Sequence, residues 1–333
     1  DDSLTFDGKS VTGASLELLL SLLTKPSADE NGFSPEQLST EIRLTAEDIE
    51  GEINDKRSYA MTRMLETMCA DEIYGLTKNE ILENVKKVTP QSLLAAWKFM
   101  LKNGIIQLNA IGNISEDDCK KKLREAFSDV GERTPYEPET VFVEEAEDLT
   151  ELTEELTMNQ SKLVLGFRGG MTDENDDFYS RRIMTDVFGG GPYSRLFMNV
   201  REKLSLCYYC SARLIRGKGI IVIQSGIEKE NRQKVLDEIN RQLDIMKNGE
   251  FSDEDFEASK KAICDAYRSF NDTPDALDIY YGTQLTGDIV TPDEAIENFL
   301  AVTRDDVKKT ACALSLDTVY MLAGTDKEDG ADE

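Results

Sequence analysis

The chain has 333 residues, 40% of them hydrophobic, and a formal net charge of −27. That length accommodates two domains. The acidity, with no basic stripe, argues against binding nucleic acid through phosphate contacts, and apolar runs such as SLELLLSLL and GIIVI stop well short of the ~18 residues of a membrane span.

There is no histidine, so zinc bound through imidazole is excluded within these residues. Six cysteines are thinly spread over the chain, which fits a reducing, cytoplasmic setting better than a disulfide framework. Nothing at the start has the form of a signal peptide. The chain opens on Asp1 without Met, which is compatible with removal of a natural N-terminus and any targeting segment.

In chain order, residues from Gly13 to about Leu23 predict a helix, apolar nearly all round and therefore expected to be buried. Ser34 and Pro35 open a long helical pattern that runs on through ETMCADE. Thr89 caps a helix to Leu101; Gly104 to Gly112 reads as a strand; Ser115 to Phe127 reads as a capped helix. The stretch 131–156 carries two prolines, then seven carboxylates between Glu144 and Glu155, and reads as an interdomain linker.

A second block follows. QSKLVLGFR is a strand, DDFYSRRIMTDVF a helix ended by Gly189, Gly190 and Gly191, and PYSRLFMNVREK a helix with Leu196, Phe197 and Val200 on one side. LCYYCSARLI and GIIVIQSGI are strands around an RGKG turn. Val235, Leu236, Ile239, Leu243 and Met246 recur at helical spacing. FSDEDFEASKKAICDAYRSF is a long helix, three shorter ones come next, and Asp317 to Gly324 is the last strand.

The same grammar occurs twice. FSPE at Phe33 and VTPQ at Val88 match FSDE at Phe251 and VTRD at Val302, offsets of 218 and 214 residues, on the same order of elements. With the second copy starting near Asn159, the first is expected to start roughly sixty residues before Asp1.

Few residues offer chemistry. The glycines at 189–191 follow a helix and precede one, unlike a phosphate-binding loop, and a left-handed helix cap accounts for them. Cys207 and Cys210 form a C-x-x-C, but on a strand positions three apart point to opposite faces, against a redox or metal role. Arg201, at a helix end, and Tyr208, at the start of the next strand, are both hydrogen-bond donors able to hold a carbonyl or an oxyanion. From spacing alone the favoured reading is the simpler one, in which Arg201 pairs with a surface carboxylate and Tyr208 is a half-buried strand aromatic.

FGGGPYSRLFMNVREKLSLCYYCSARL closely resembles the second-half motif of the pitrilysin/insulinase metallopeptidases, which include the mitochondrial processing peptidases: Gly-Gly, Ser-x-Leu-Phe, V-R-E-K, and a Tyr seven after the Arg. NQSKLVLGFR before it and the segment from SGIEKEN to SKKAI after it are similar to that family too. The resemblance implies an α+β fold of two homologous domains, mostly antiparallel sheets with helices packed on one face, the first domain N-terminally truncated. The implied division is 1–130 for the C-terminal part of the first domain, 131–156 for the acidic linker, 157–326 for the second domain and 327–333 for an acidic tail.

It also implies a role for the pair. Arg201 would grip a substrate carbonyl and Tyr208 would bond the oxyanion, while zinc sits on an H-x-x-E-H motif that this chain does not contain. EGEINDKRSYAMTRMLETMCADEIYGL is similar to the non-catalytic partner chains of bacterial two-chain members. Glu50 or Glu52 could align with a distal zinc ligand but, without histidines, reads more simply as a helix-surface carboxylate. The expectation is a substrate-binding, non-zinc-binding subunit that cleaves peptides as a dimer with a zinc-bearing homologous subunit, with no cofactor in this chain. The alternatives are a catalytically inactive structural homologue and a complete zinc endopeptidase whose metal motif lies in an absent N-terminal segment.

Overall fold

The computed structural model describes residues 3–137, 139, 141, 143–169, 177–285 and 289–325. The acidic tail expected at 327–333 lies outside these residues. A two-residue hairpin pair, β1 (Thr5–Phe6) and β2 (Lys9–Ser10), leads into α1 (Val11–Thr24), whose N-cap Ser10 accepts from the Gly13 amide. After β3 (Ala28–Asp29) and β4 (Gly32–Phe33) come α2 (Pro35–Gly51), α3 (Lys56–Met68) and α4 (Lys78–Val85). The single long helical pattern is thus broken at Asp55, which accepts from the amides of Arg57 and Ser58 and starts α3 anew. α5 (Pro90–Asn103) and α6 (Glu116–Ala126) complete the first part.

The second part holds β5 (Thr150–Thr157), β6 (Ser161–Arg168), α7 (Phe178–Gly189), a π-helical turn at Phe197–Lys203, β7 (Cys207–Ile215) and β8 (Ile220–Ile227). Helices α8 (Arg232–Asn248), α9 (Asp253–Ser269), α10 (Pro274–Gly282), α11 (Pro292–Ala301) and α12 (Arg304–Cys312) precede β9 (Ser315–Thr325). No helix among the described residues is long and apolar enough to cross a membrane.

The chain forms two compact units that are discontinuous in sequence: 1–48, 82–139 and 267–292 in one; 49–81, 140–266 and 293–333 in the other. Compactness therefore follows a different division from the expected 1–130 and 157–326, because residues 49–81 pack with the sheet.

That sheet runs β5-β9-β6-β8-β7, antiparallel throughout except for the parallel β5–β9 pair. Its central strands β6, β8 and β9 are apolar on both faces, as a doubly covered sheet requires. Val164, Val222, Ile220, Tyr320 and Leu322 meet Ala60, Met64 and Met68 of α3. The alternate residues, Leu163, Leu165, Ile221 and Ile223, are just as buried and face the other way. On that second face Gly189 at the end of α7 lies so close to Ala212 of β7 that an added Cβ would stand 2.6 Å from the Ala212 nitrogen. Truncating a buried methionine such as Met64 typically costs about 2–5 kcal/mol.

Part of the expected linker is a strand. In β5 every second residue, Leu152, Glu154 and Leu156, is half-buried while its neighbours are exposed. Glu154 accepts from Arg63 and from the Tyr59 hydroxyl of α3, so a carboxylate replaces an apolar side chain on the inner face. The acidic outer face of this edge strand discourages pairing with another chain. Residues 131–149 contain no helix or strand among those described.

Two expectations for the other unit also change. Within it α1 packs against α6, which covers one stripe; Leu20 is buried, but Leu18, Leu19 and Leu22 are 62%, 56% and 70% exposed. Gly104–Gly112 is irregular rather than a strand, since no strand among the described residues of the unit runs beside it to supply a ladder. Side chains anchor it instead: Gln107 donates to the Tyr281 carbonyl at 3.0 Å and Asn109 to Asp278 at 2.9 Å.

Candidate functional site

The site is built by the turn between α7 and β7. α7 ends at Gly189 with Gly190 as its C-cap, at φ −82°, so the glycine run is not a left-handed cap. Close packing requires it instead: a Cβ on Gly190 would meet the Asp186 Cα at 2.6 Å, and one on Gly191 the Tyr193 ring at 2.9 Å. The following turn winds as a π-helix, wider than the regular α-helix expected, a form frequent at functional sites. It buries Leu196 and Val200, leaves Phe197 half-buried and presents Arg201 near its end.

Two nested backbone bonds close the turn: the Leu206 amide donates to the Val200 carbonyl at 3.1 Å and the Ser205 amide to the Arg201 carbonyl at 3.0 Å. Ser205 sits at φ +52°, a left-handed position usually given to glycine, and so carries local strain. Two residues on, β7 begins with a bulge. Cys207 pairs with Ile227 and Tyr209 with Gly226, so Tyr208 has no partner of its own and is pushed outward, 59% exposed.

These devices place Arg201 and Tyr208 on the wall of one cavity of about 430 Å³, together with Glu202, Ser205, Cys207 and Glu228. The Arg201 guanidinium stacks 4.6 Å from the Phe197 ring centroid, with Glu202 3.7 Å from its Nε. That ion pair is exposed and therefore weak, and the fork is open toward the cavity. The Tyr208 hydroxyl donates to Glu228 Oε1 at 2.8 Å. The hydrogen bond to Glu228 and its negative charge raise the phenol above its ordinary value, so Tyr208 keeps its proton at neutral and mildly alkaline pH. Both groups offer N–H or O–H donors, and neither is placed to move a proton at neutral pH.

The residues present do not fit a zinc ion of the kind the resemblance implies. No histidine occurs in the 333 residues, and no three Cys, Asp or Glu side chains converge among the described residues. Glu52 is occupied otherwise, accepting from the Thr62 hydroxyl at 2.8 Å with Lys78 at 3.8 Å. Sequence reasoning did not anticipate Glu228 as the partner of Tyr208. The bulge, which has no marker in the sequence, brings them together.

Residues 87–263 match the family described as peptidase M16 inactive domain. Over 315 residues, 93% of this chain and 73% of the relative, the sequence is 30% identical to a Bacillus subtilis protein named probable inactive metalloprotease YmfF. The chain belongs to the peptidase M16 family. Its fold also matches a conserved protein of Enterococcus faecalis, with TM-score 0.84 and 24% identity over 99% of this chain and 78% of that one. A peptidase M16 inactive domain from Pseudomonas fluorescens gives TM-score 0.74 and 14% identity over 95% of this chain and 76% of that one.

Proposed function

We propose that this chain is the substrate-binding, non-zinc-binding subunit of a two-chain bacterial peptidase, and that Arg201 and Tyr208 are its contribution to the active site. The observation that supports this reading most is the shared cavity: a guanidinium and a phenol, at opposite ends of one strained turn, both reach open space beside each other. The metal and the proton acceptor come from a homologous zinc-bearing chain, with which this one forms a heterodimer. Arg201 grips a backbone carbonyl of an extended peptide. Tyr208 turns its hydroxyl from Glu228 to the carbonyl oxygen under attack, where such a donor contributes about 3 kcal/mol, or a hundredfold in rate.

The division into two related domains, 1–130 and 157–326 joined by 131–156, belongs to the same proposal. Matching caps support it: Ser34 and Ser252 each accept from the amide three residues on, as do Thr89 and Thr303. Six cysteines scattered over 333 residues, rather than arrayed as a disulfide framework, support a cytoplasmic setting.

The test is reconstitution with an H-x-x-E-H homologue. The mixture is expected to cleave unfolded peptides while this chain alone does not, and Arg201→Ala is expected to lower the rate at least tenfold. Equal rates with and without this chain would reject the role.

A further inference from the structure

The C-x-x-C of β7 behaves differently from the same motif on an unbroken strand. Cys207 pairs with Ile227 and Cys210 with Ser225, two positions that are two residues apart on β8 and so share a face. The bulge at Tyr208 therefore turns both thiols to the same side. It also shortens their separation to about two strand rises, roughly 7 Å between α-carbons. That is the upper edge of what a disulfide spans. Both cysteines are reduced and buried, at 8% and 3% exposure, but Cys207 lines the cavity that holds Arg201 and Tyr208.

We propose that Cys207 and Cys210 form a reversible intramolecular disulfide, entered from the cavity by a low-molecular-weight disulfide such as oxidised glutathione, and that its closure displaces Tyr208. The Cys207 thiolate attacks one sulfur of the small disulfide, giving a mixed disulfide and releasing one thiol. Cys210 then attacks the Cys207 sulfur and expels the second thiol. Two protein thiols are oxidised, one small disulfide is reduced to two thiols, and the two protons leave on those thiols.

The local electrostatics suit this order of attack. The Cys210 S–H, the Ser225 side chain and the Arg201 charge together hold Cys207 below the ordinary thiol value despite its burial, while Cys210, bonded to Cys207 and buried, is held above it. The backbone that must draw in to close the bond is the bulge itself. Tyr208 rides on it, and its bond to Glu228 cannot persist unchanged. In a reducing compartment such pairs are transient sensors rather than staples.

The chain is treated under native conditions with oxidised glutathione in a Cys312→Ser background, which removes the exposed cysteine. Peptide mass mapping is expected to find a Cys207–Cys210 crosslink, two hydrogens lighter and reversed by dithiothreitol. Cys210→Ser is expected to trap glutathione on Cys207, and Cys207→Ser to leave Cys210 unmodified; circular dichroism checks that each variant is folded. A folded chain that keeps both thiols, or a Cys207→Ser variant that takes up glutathione on Cys210, would overturn the proposal. No peptide substrate enters this readout, so its failure is distinct from failure of the subunit role.

Discussion

Thr89 and Thr303 cap their helices in the same way. Each side chain accepts from the amide three residues on, and the residue there bonds back to close a capping box. Yet the chain leaving α5 runs irregularly through Gly104–Gly112, whereas the chain leaving α12 becomes β9, flanked by β5 and β6. Caps are local, satisfied by atoms three residues away, so both copies make them. A strand needs a second strand beside it, and only the later copy has one among the described residues. The helix signals in the two segments thus have a value that the strand signal lacks.

Proline substitution should separate the two segments most sharply. Val319 lies in the middle of β9, 1% exposed and paired with both Leu165 and Glu151. Val319→Pro removes an amide from a central strand, and no cooperative thermal transition of the sheet-bearing unit should remain. Leu108→Pro, outside any ladder, should leave the transition within a few degrees of its original midpoint. Equal losses would show that both segments are strands.

The caps should respond alike. Thr89→Ala and Thr303→Ala are each expected to cost about 1 kcal/mol in urea denaturation. A difference much larger than that would mean the repeats have diverged at their best-matched position.

Acid should then part the two caps by a smaller amount. The Thr303 box closes through Asp306, whose carboxylate accepts from the Thr303 hydroxyl and amide at 2.6 and 2.9 Å. These bonds hold Asp306 below the ordinary value of 3.8. A depressed carboxylate stabilises the folded state fully above its unfolded value and loses that contribution as pH falls through its folded value. The cost of Thr303→Ala should therefore shrink below about pH 4, while that of Thr89→Ala, whose partner is the Ser92 hydroxyl, should stay flat.

Helices α5, α6, α9 and α12, each opened by a Ser or Thr cap, and α8, marked by apolar spacing alone, were legible from the chain and stand where those signals put them. So were β6, β7, β8 and β9; the apolar runs of β6, β8 and β9 are buried on both faces, while β7 at the sheet edge buries only Cys207 and Cys210. β5 escaped notice because its inner face carries Glu154, whose compensation by Arg63 and Tyr59 comes from residues about ninety positions away. The exposure of Leu18, Leu19 and Leu22 on α1 could not be read from apolarity, which reports what a side chain prefers rather than what covers it.

At the site, the seven-residue spacing of Arg201 and Tyr208 singled out the pair. Their convergence depends on three things with no sequence marker: a π-turn, a left-handed Ser205 and a bulge at Tyr208. The same bulge reversed the expectation for Cys207 and Cys210, since one extra residue in a strand flips the face of everything beyond it.

The most direct test of the central idea, a phenol that donates to the oxyanion in a reaction whose metal lies elsewhere, is Tyr208→Phe in the reconstituted pair. The turnover number should fall at least tenfold with KM nearly unchanged, because the lost hydrogen bond forms only in the transition state. A turnover number equal to that of the unmodified pair would contradict it.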